Sequence, residues 1–365
     1  MISPIDKDHL QSQVINYLRF PLIIGVLFIH NSDFMNLGEN IDIEGHTYES
    51  ITIIIDLFSN TLASVAVPIF FFISGFLFFY RLPNFTLSLY KTKLLKRINT
   101  LLIPYLFWNL LLFLVYLLAS KLTVIKALFN TNAIDSGLFS ALLGIPSDQG
   151  MTYPIVYPFW FIRDLMVCVI ISPILFFIIT KTRHIGIILL GIAWYIGFKI
   201  PYLGYRGFST TALFFFSLGA WFSCYNKNII VTVRELKFFG IIYPLVIIAE
   251  MLTKHLSINP YIHSLGIVSG AIFWFLIASY LIEIKKLKPI PILTSASFFI
   301  FAIHEPWLLV TLRKLTLSLL HPTSPYIHLL LYFATIAIVT FIAIGIYYVL
   351  KKIAPKFTNL ITGNR

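Results

Sequence analysis

Arg19 and His30 are the two residues of this chain whose types and spacing point most directly to chemistry. They stand in one apolar run, residues 18–30, where a charged or ionisable side chain is costly to bury, so each is a functional candidate. At about 100° per residue, the step from residue 19 to residue 30 amounts to roughly three turns of an α-helix. Both side chains should therefore face the same interior, about 16 Å apart along the helix axis.

The composition requires that this helix lies in a membrane. The chain has 365 residues, of which 58% are hydrophobic and 12% charged, and its mean hydropathy is +0.88. A soluble domain of this size has too small an interior to hide so much apolar surface. The unbroken apolar runs are of helical length, which excludes a β-barrel. The predicted fold is an all-α, polytopic membrane helix bundle.

Ten transmembrane helices are predicted, at about 13–32, 51–80, 100–120, 159–180, 185–200, 209–225, 238–253, 263–283, 290–312 and 327–350. The fifth to seventh are short, and Pro68 is expected to kink the second. The outer loop 121–158 contains turn residues and room for short helices. This divides the chain into a polar N-terminus (1–12), a membrane domain (13–350) and a basic tail (351–365).

The distribution of Lys and Arg predicts the orientation. With the N-terminus inside, 19 of the 27 Lys and Arg residues lie on the inner side and seven on the outer side, with Arg163 within a span. Both termini are then cytoplasmic. The net charge of +12 is explained by this bias, and no basic stripe has the interleaved aromatic residues of a nucleic-acid groove, so no nucleic-acid partner is expected.

In this topology the polar residues of the spans fall into two layers. The outer layer consists of His30, Trp160, Arg163, Asp164, His304 and Glu305, and the inner layer of Arg19, Ser74, Lys93, Lys96 and Arg97. Each has a structural alternative: Arg19 can snorkel to the headgroups, the basic cluster can anchor to anionic lipid, and Arg163 can simply pair with Asp164. His30 can be an interfacial residue without a role, and His304-Glu305 before Pro306 can be an interfacial break in a helix.

Other site types lack their motifs. No His-x-x-x-His or Glu-x-x-His pair stands on a span, so no metal is expected. A Gly-x-Ser-x-Gly hydrolase elbow and a phosphate-binding glycine loop do not occur. Cys168 and Cys224 lie within apolar spans and are interpreted as small core residues.

The Arg-x10-His pair resembles the signature of the family-three membrane acyltransferases, which O-acylate bacterial surface sugars. Further segments resemble the motifs of that family in the same order, at 67–77, 96–97 with 101–108, 159–165, 214–219 and 297–306. The resemblance runs from about residue 12 to residue 350. One position departs: many members have Arg-x-x-Arg at the start of the third span, and here Thr100 replaces the second Arg. Lys93 and Lys96 are expected to supply the charge.

The resemblance implies transfer of an acyl group, most often acetyl from acetyl-CoA, to a hydroxyl of a glycan or glycolipid. The acyl-CoA is then a co-substrate, no cofactor is bound permanently, and the protein resides in the bacterial inner membrane. His30 is the expected general base, since imidazole titrates near neutral pH. Arg19 is expected to position the donor or offset negative charge, and Lys93, Lys96 and Arg97 to dock the polyanionic CoA.

Arg163 and His304 are expected to bind the acceptor or support the oxyanion. Two other classes of function stay open. In a transporter or export factor for a polysaccharide or lipid-linked glycan, the same polar residues would line a translocation path. A membrane sensor or scaffold is the third interpretation, and no effector domain supports it.

Overall fold

The computed structural model describes residues 4–34, 46–82, 85–121, 137–146, 152–199, 207–320 and 324–364. Almost all of them are helical. The helices are α1 Pro4–His30, α2 His46–Asp56, α3 Ala66–Phe79, α4 Leu87–Arg97, α5 Ile103–Ser120, α6 Gly137–Leu143, α7 Trp160–Ile170, α8 Ser172–Thr182, α9 His184–Tyr195, α10 Thr210–Cys224, α11 Ile229–Glu235, α12 Lys237–Ile241, α13 Tyr243–Leu252, α14 Asn259–Glu283, α15 Pro291–Ile303, α16 Leu309–Leu320, α17 Pro325–Ile353 and α18 Pro355–Thr362.

Among the described residues, three π-helical segments interrupt the long helical runs, at Leu57–Leu62, Ile98–Leu102 and His304–Leu308. Short 3₁₀ turns occur at Ser32–Phe34, Ala63–Val65 and Tyr157–Phe159. A π-helical turn inserts an extra residue into a helix and is frequent at functional sites. Two of these three segments, Ile98–Leu102 and His304–Leu308, adjoin the candidate site described below.

Six helical runs of the described residues are long and apolar enough to cross a membrane. They are Lys7–Phe34, Ser50–Phe79, Leu87–Ser120, Asn259–Glu283, Pro291–Leu320 and Pro325–Ile353. Each of them overlaps one predicted span, namely the first, second, third, eighth, ninth or tenth. The prediction of a helical membrane protein is thus confirmed, whereas the count of ten spans and the cytoplasmic position of both termini stay predictions.

The other four predicted spans are shorter or broken. The fourth is a pair of helices, Tyr157–Ile170 and Ser172–Thr182, which meet at a bend of 63°. Pro173 follows directly and has no N–H to continue the helical ladder across the break. The fifth and sixth contain the shorter helices α9 and α10, and the fifth ends at residue 200, outside the described residues. The seventh is divided between α12 and α13.

The predicted outer loop 121–158 contains the short helix α6, as its composition indicated. It also contains one very short hairpin, which leaves the all-α class unchanged. Strand β1, Ile145–Pro146, pairs antiparallel with strand β2, Thr152–Tyr153, in a hairpin of two residues on each side. Its turn and residues 122–136 lie outside the described part. A ladder this short gives no periodicity that a sequence pattern can reveal.

Helix α1 lies at the centre of the bundle and packs against α3, α14 and α15. Helices α3 and α10 approach each other closely, where Gly75 faces the carbonyl of Phe216 and Gly219 faces that of Phe72. A Cβ atom at either glycine would lie 2.0 Å from the facing carbonyl oxygen. Small residues at such a crossing let two membrane helices approach closely. The crossing fixes α3, which carries Ser74.

We expect Gly219→Ala to destabilise the protein by about 1–3 kcal/mol, because the new methyl group must push two backbones apart. Gly345→Ala is the matched control: Gly345 lies inside α17, and a Cβ atom there would meet no atom within 4 Å. Alanine at that position should preserve or slightly raise stability. The thermal midpoints of the purified variants in detergent measure both effects. Equal midpoints for the two variants would contradict the close crossing.

Candidate active site

A cavity of about 390 Å³ lies inside the bundle beside α1. Side chains from α1, α3, the π-helical turn Ile98–Leu102, the segment 157–165 and α15 form its walls. Its middle is mainly apolar, with Ile23, Val26, Val67, Phe70, Ile73, Leu77, Leu101, Phe161, Leu165, Phe298 and Phe301 among the lining residues. The polar candidates that line it are Arg19, His30, Ser74, Arg97 and Trp160.

Arg19 and His30 lie towards opposite ends of the cavity. Both stand on the single helix α1, and a rise of 1.5 Å per residue separates them by about 16 Å along its axis. The Thr294 hydroxyl donates to the carbonyl of Asn16 (3.3 Å), one turn before Arg19, so Thr294 belongs to the Arg19 end. The His30 ring contacts the Tyr157 ring at the other end, with 5.6 Å between ring centroids.

The helical run Leu87–Ser120 extends in a direction that places Arg97 far from His30. Further along this run, Asn109 accepts a hydrogen bond from the backbone N–H of Val156 (3.1 Å), the neighbour of Tyr157. Asn109 is therefore near the level of His30, and Arg97 lies twelve residues earlier, about 18 Å along the helix. Arg19 and Arg97 thus define a cationic end of the cavity, opposite the imidazole of His30.

The guanidinium groups of this end are open to a ligand. Arg19 is half-buried, and within the described part of the chain its guanidinium has no hydrogen-bond or ion-pair partner. Arg97 lies over the ring of Phe78, with 5.8 Å from its guanidinium carbon to the ring centroid. An unpaired cation away from water is costly. A negatively charged ligand would remove that cost, and the planar donors of Arg suit phosphate oxygens.

A second imidazole packs against His30. The ring of His304, which is fully buried, lies 5.1 Å from that of His30 by centroid distance. Its Nδ1 contacts the carbonyl oxygen of Phe301 (2.7 Å), and a carbonyl only accepts, so Nδ1 carries the proton and Nε2 is an acceptor. His304 Nε2 has no hydrogen-bond partner in the described structure. The break in the helix at His304–Leu308 positions this ring.

Arg313 fixes the end of α1. Its guanidinium donates to the backbone carbonyl of His30 (3.4 Å), where the last carbonyls of a helix lack intrahelical partners and attract a cation. Arg313 is itself buried, with Nε unpaired among the described residues. From the sequence, Arg313 is only one of the seven basic residues of the outer side. Its contact with His30 bridges 283 positions of the chain, which no local pattern can reveal.

The other predicted site residues lie outside the cavity wall. Lys93 donates to the backbone carbonyl of Phe78, and Lys96 is exposed. Arg163 pairs with Asp164 (3.0 Å) and donates to the carbonyl of Leu143, as in the structural alternative considered for this pair. Glu305 is half-buried, follows His304 in the helix break and does not line the cavity. The roles of these side chains in binding stay predictions.

The sequence analysis missed several polar residues of the lining. Tyr157, Thr294, Ser297 and Asn364 line the cavity together with the predicted residues. Tyr157 lies three residues before Trp160, so its position next to the motif 159–165 could have indicated it from the sequence. Thr100, noted above as the departure from Arg-x-x-Arg, also lines the cavity, one turn after Arg97.

Residues 13–349 match the family model described as an acyltransferase domain, Acyl_transf_3, and the chain belongs to this family. The resemblance noted from the sequence motifs is thereby confirmed. Succinoglycan biosynthesis protein ExoH of Rhizobium meliloti (strain 1021) is 25% identical to this chain over 377 residues, covering 96% of the chain and 92% of the relative. No solved structure matches the chain. The protein is therefore a helical membrane protein of an acyltransferase family.

Proposed function

We propose that the protein transfers an acyl group from acyl-CoA to a hydroxyl of a cell-surface glycan or glycolipid. One observation carries the proposal: a single cavity is lined by two arginines at one end and by an imidazole at the other. Membership of the acyltransferase family supports the reaction type. The name of the relative, a succinoglycan biosynthesis protein, supports a glycan as the acceptor.

The donor proposed for the cationic end is acyl-CoA, with acetyl as the expected group. Coenzyme A carries its phosphates and its thiol at opposite ends of the pantetheine arm. Phosphates at Arg19 and Arg97 would direct the arm along the apolar middle of the cavity towards His30. Charge-assisted hydrogen bonds to phosphate are among the stronger polar interactions in proteins. This arrangement assigns both arginines to the donor and separates them from the reacting carbonyl.

His30 is proposed as the general base. Its neutral imidazole takes the proton of the acceptor hydroxyl while the hydroxyl oxygen attacks the thioester carbonyl. The new C–O bond forms, the C–S bond breaks, and the leaving thiolate recovers the proton from the imidazolium. The ring of His304 packs against the ring of His30, and Arg313 donates a hydrogen bond to the backbone carbonyl of His30. The base therefore acts from a position fixed by three helices.

Arg97→Gln is expected to raise the apparent KM for acyl-CoA about tenfold or more, because a charged hydrogen bond contributes roughly 1.5–3 kcal/mol. Lys91→Gln is the matched control, since Lys91 lies on the same helix, is exposed and does not line the cavity. Its effect should be small and should vanish at high salt. Initial rates against acyl-CoA concentration at low and high salt measure both constants. Equal changes in KM for the two variants would contradict a donor site at Arg97.

The cytosolic donor requires a defined orientation in the bacterial inner membrane. We propose ten spans with both termini in the cytoplasm, on the Lys and Arg bias described above. A fluorescent protein that matures only in the cytosol, fused after Arg365, should be fluorescent. The same protein fused after Lys121, which follows the third span, should be dark, while alkaline phosphatase there should be active. The reverse pattern would place the arginine end outside and contradict the proposed donor side.

Gene deletion tests the proposed activity in the cell. Mass spectrometry of surface glycans should show the loss of an acyl substituent in the deletion strain and its return with the wild-type gene. The His30→Ala gene, expressed to the same level in the membrane, should not restore it. An unchanged acylation pattern in the deletion strain would contradict the proposal.

The export alternative has weaker structural support. A path for a polysaccharide has to accommodate hydroxyl-rich sugar units, whereas the middle of this cavity is lined mainly by aliphatic and aromatic side chains. Such a lining suits the apolar part of a thin chain better than a hydrated glycan.

A further inference from the structure

Beyond the predicted donor residues, we propose that residues 355–364, named here the strap, form part of the acyl-CoA binding site. The geometry points to Asn364 as a side chain that contacts the donor at the cationic end. This inference rests on the proposed function above. Its starting observation is that Gly363 and Asn364 line the same cavity as Arg19 and Arg97. The sequence analysis interpreted this part of the chain as a basic tail.

The strap is docked on the bundle. After α17 ends at Ile353, the chain turns at Ala354, and α18 packs against α5, α15 and α17. The indole N–H of Trp108 donates to the carbonyl of Ile361 (3.0 Å), which anchors α18 to α5. Lys351 donates to the side-chain oxygen of Asn359 (2.5 Å), which anchors it to α17.

One face of α18 is buried in the protein. Thr358, Ile361 and Thr362 are at most 2% exposed, and their spacing of three and four residues places them on one side of the helix. Lys356, on the other side, is exposed. An amphipathic helix that only anchors to lipid headgroups buries its apolar face in the bilayer. Here the buried face includes two threonines and packs against protein, so the strap is an integral part of the helix bundle.

Gly363 brings the end of the strap to the cavity. It adopts a left-handed conformation, with φ of +70°, and the N–H of Asn364 returns to the carbonyl of Asn359 (2.7 Å), as in a Schellman motif. A Cβ atom at Gly363 would lie 2.4 Å from the carbonyl oxygen of Thr100. The strap is thus in direct contact with the π-helical turn that begins one residue after Arg97.

Asn364 is positioned to meet the donor. It is exposed at the rim of the cavity, and its carboxamide has no partner among the described residues. An amide group can donate to a phosphate oxygen and can also pair with the amide groups of the pantetheine arm. Together with Arg97 and Thr100, it gives the cationic end a neutral polar group.

Protection of an engineered thiol by coenzyme A tests the inference. Asn364→Cys is placed in a background in which Cys168 and Cys224 are replaced by alanine and serine, and Lys356→Cys in the same background is the control on the opposite face of the strap. The rate of maleimide labelling is measured with and without coenzyme A. At ten times Kd, coenzyme A should slow the labelling of residue 364 about tenfold, because about one site in eleven is then free. Residue 356 should react at an unchanged rate.

Equilibrium dialysis of radiolabelled coenzyme A with the same proteins separates the possible failures. Binding of coenzyme A without protection of residue 364 would overturn the role of the strap and leave the proposed donor intact. Equal protection of residues 364 and 356 would indicate a general closure and would also overturn the contact. No binding of coenzyme A to the wild-type protein would overturn the proposed donor, and this inference with it.

Discussion

His30→Ala is expected to lower kcat for acyl transfer by about 10²–10⁴-fold, the usual loss when a general base is removed. In the proposed reaction no other group takes the proton of the acceptor hydroxyl. His304, the imidazole beside it, keeps Nδ1 on the carbonyl of Phe301, is fully buried and does not line the cavity. The rate is measured as free coenzyme A released in the presence of the glycan acceptor.

His255→Ala is the control for this change, because His255 is exposed and does not line the cavity. It should keep the wild-type rate. Both variants should reach the membrane in equal amounts and unfold at similar temperatures in detergent. A normally inserted His30→Ala protein with the wild-type rate would remove the general base from the account.

Arg19→Ala is expected to leave almost no acyl transfer, and Arg19→Lys only a small part. A charged hydrogen bond contributes roughly 1.5–3 kcal/mol, and the planar guanidinium makes two of them to one phosphate group where an ammonium acts as a single point charge. Binding energy at a remote part of a substrate also holds its reacting end in place, so turnover should fall together with affinity. The kinetic constants kcat and KM for acyl-CoA measure both effects.

The Arg19→Lys variant distinguishes the two interpretations of Arg19, binding of the donor phosphates and snorkelling to lipid headgroups. An arginine that only snorkels to lipid headgroups is replaceable by lysine, since both carry a long stem and a positive charge. Full activity of Arg19→Lys at saturating acyl-CoA would favour the lipid interpretation. The spacing between Arg19 and His30 would then describe a helix face without a function in catalysis.

Much of the architecture follows from hydropathy and periodicity. Helix α1, which extends from Pro4 to His30, includes the predicted first span, and the three-turn relation between Arg19 and His30 depends only on helical geometry. The shorter helices in the middle of the chain show where hydropathy is less informative. The fourth predicted span is bent because Pro173 interrupts its hydrogen bonds, and a hydropathy pattern does not give the angle of such a bend.

The surroundings of the site were predicted less well, because they depend on contacts between distant parts of the chain. Arg313 binds the carbonyl of His30, and Gly363 packs on the carbonyl of Thr100. Neither contact leaves a local pattern. Lys93 shows a related limit: its charge one turn before Arg97 predicts a role in donor binding, which stays a prediction, and the sequence did not reveal that its ammonium group donates to the carbonyl of Phe78. Charge type can be read from a sequence, but the partner of a charge depends on the packing.

The most direct test of the central claim is a sided transfer assay. The purified protein is reconstituted in sealed vesicles, and the inward- and outward-oriented molecules are distinguished by protease access to a tag after Arg365. Acyl-CoA with an isotopically labelled acyl group is supplied on the side of the tag, and a surface-glycan fraction on the opposite side. We predict labelled acyl groups on the glycan by mass spectrometry, and none with His30→Ala. Transfer by the wild-type protein only when donor and glycan share one side, or no transfer in any arrangement, would contradict a cavity that joins a donor end at Arg19 to an acceptor end at His30.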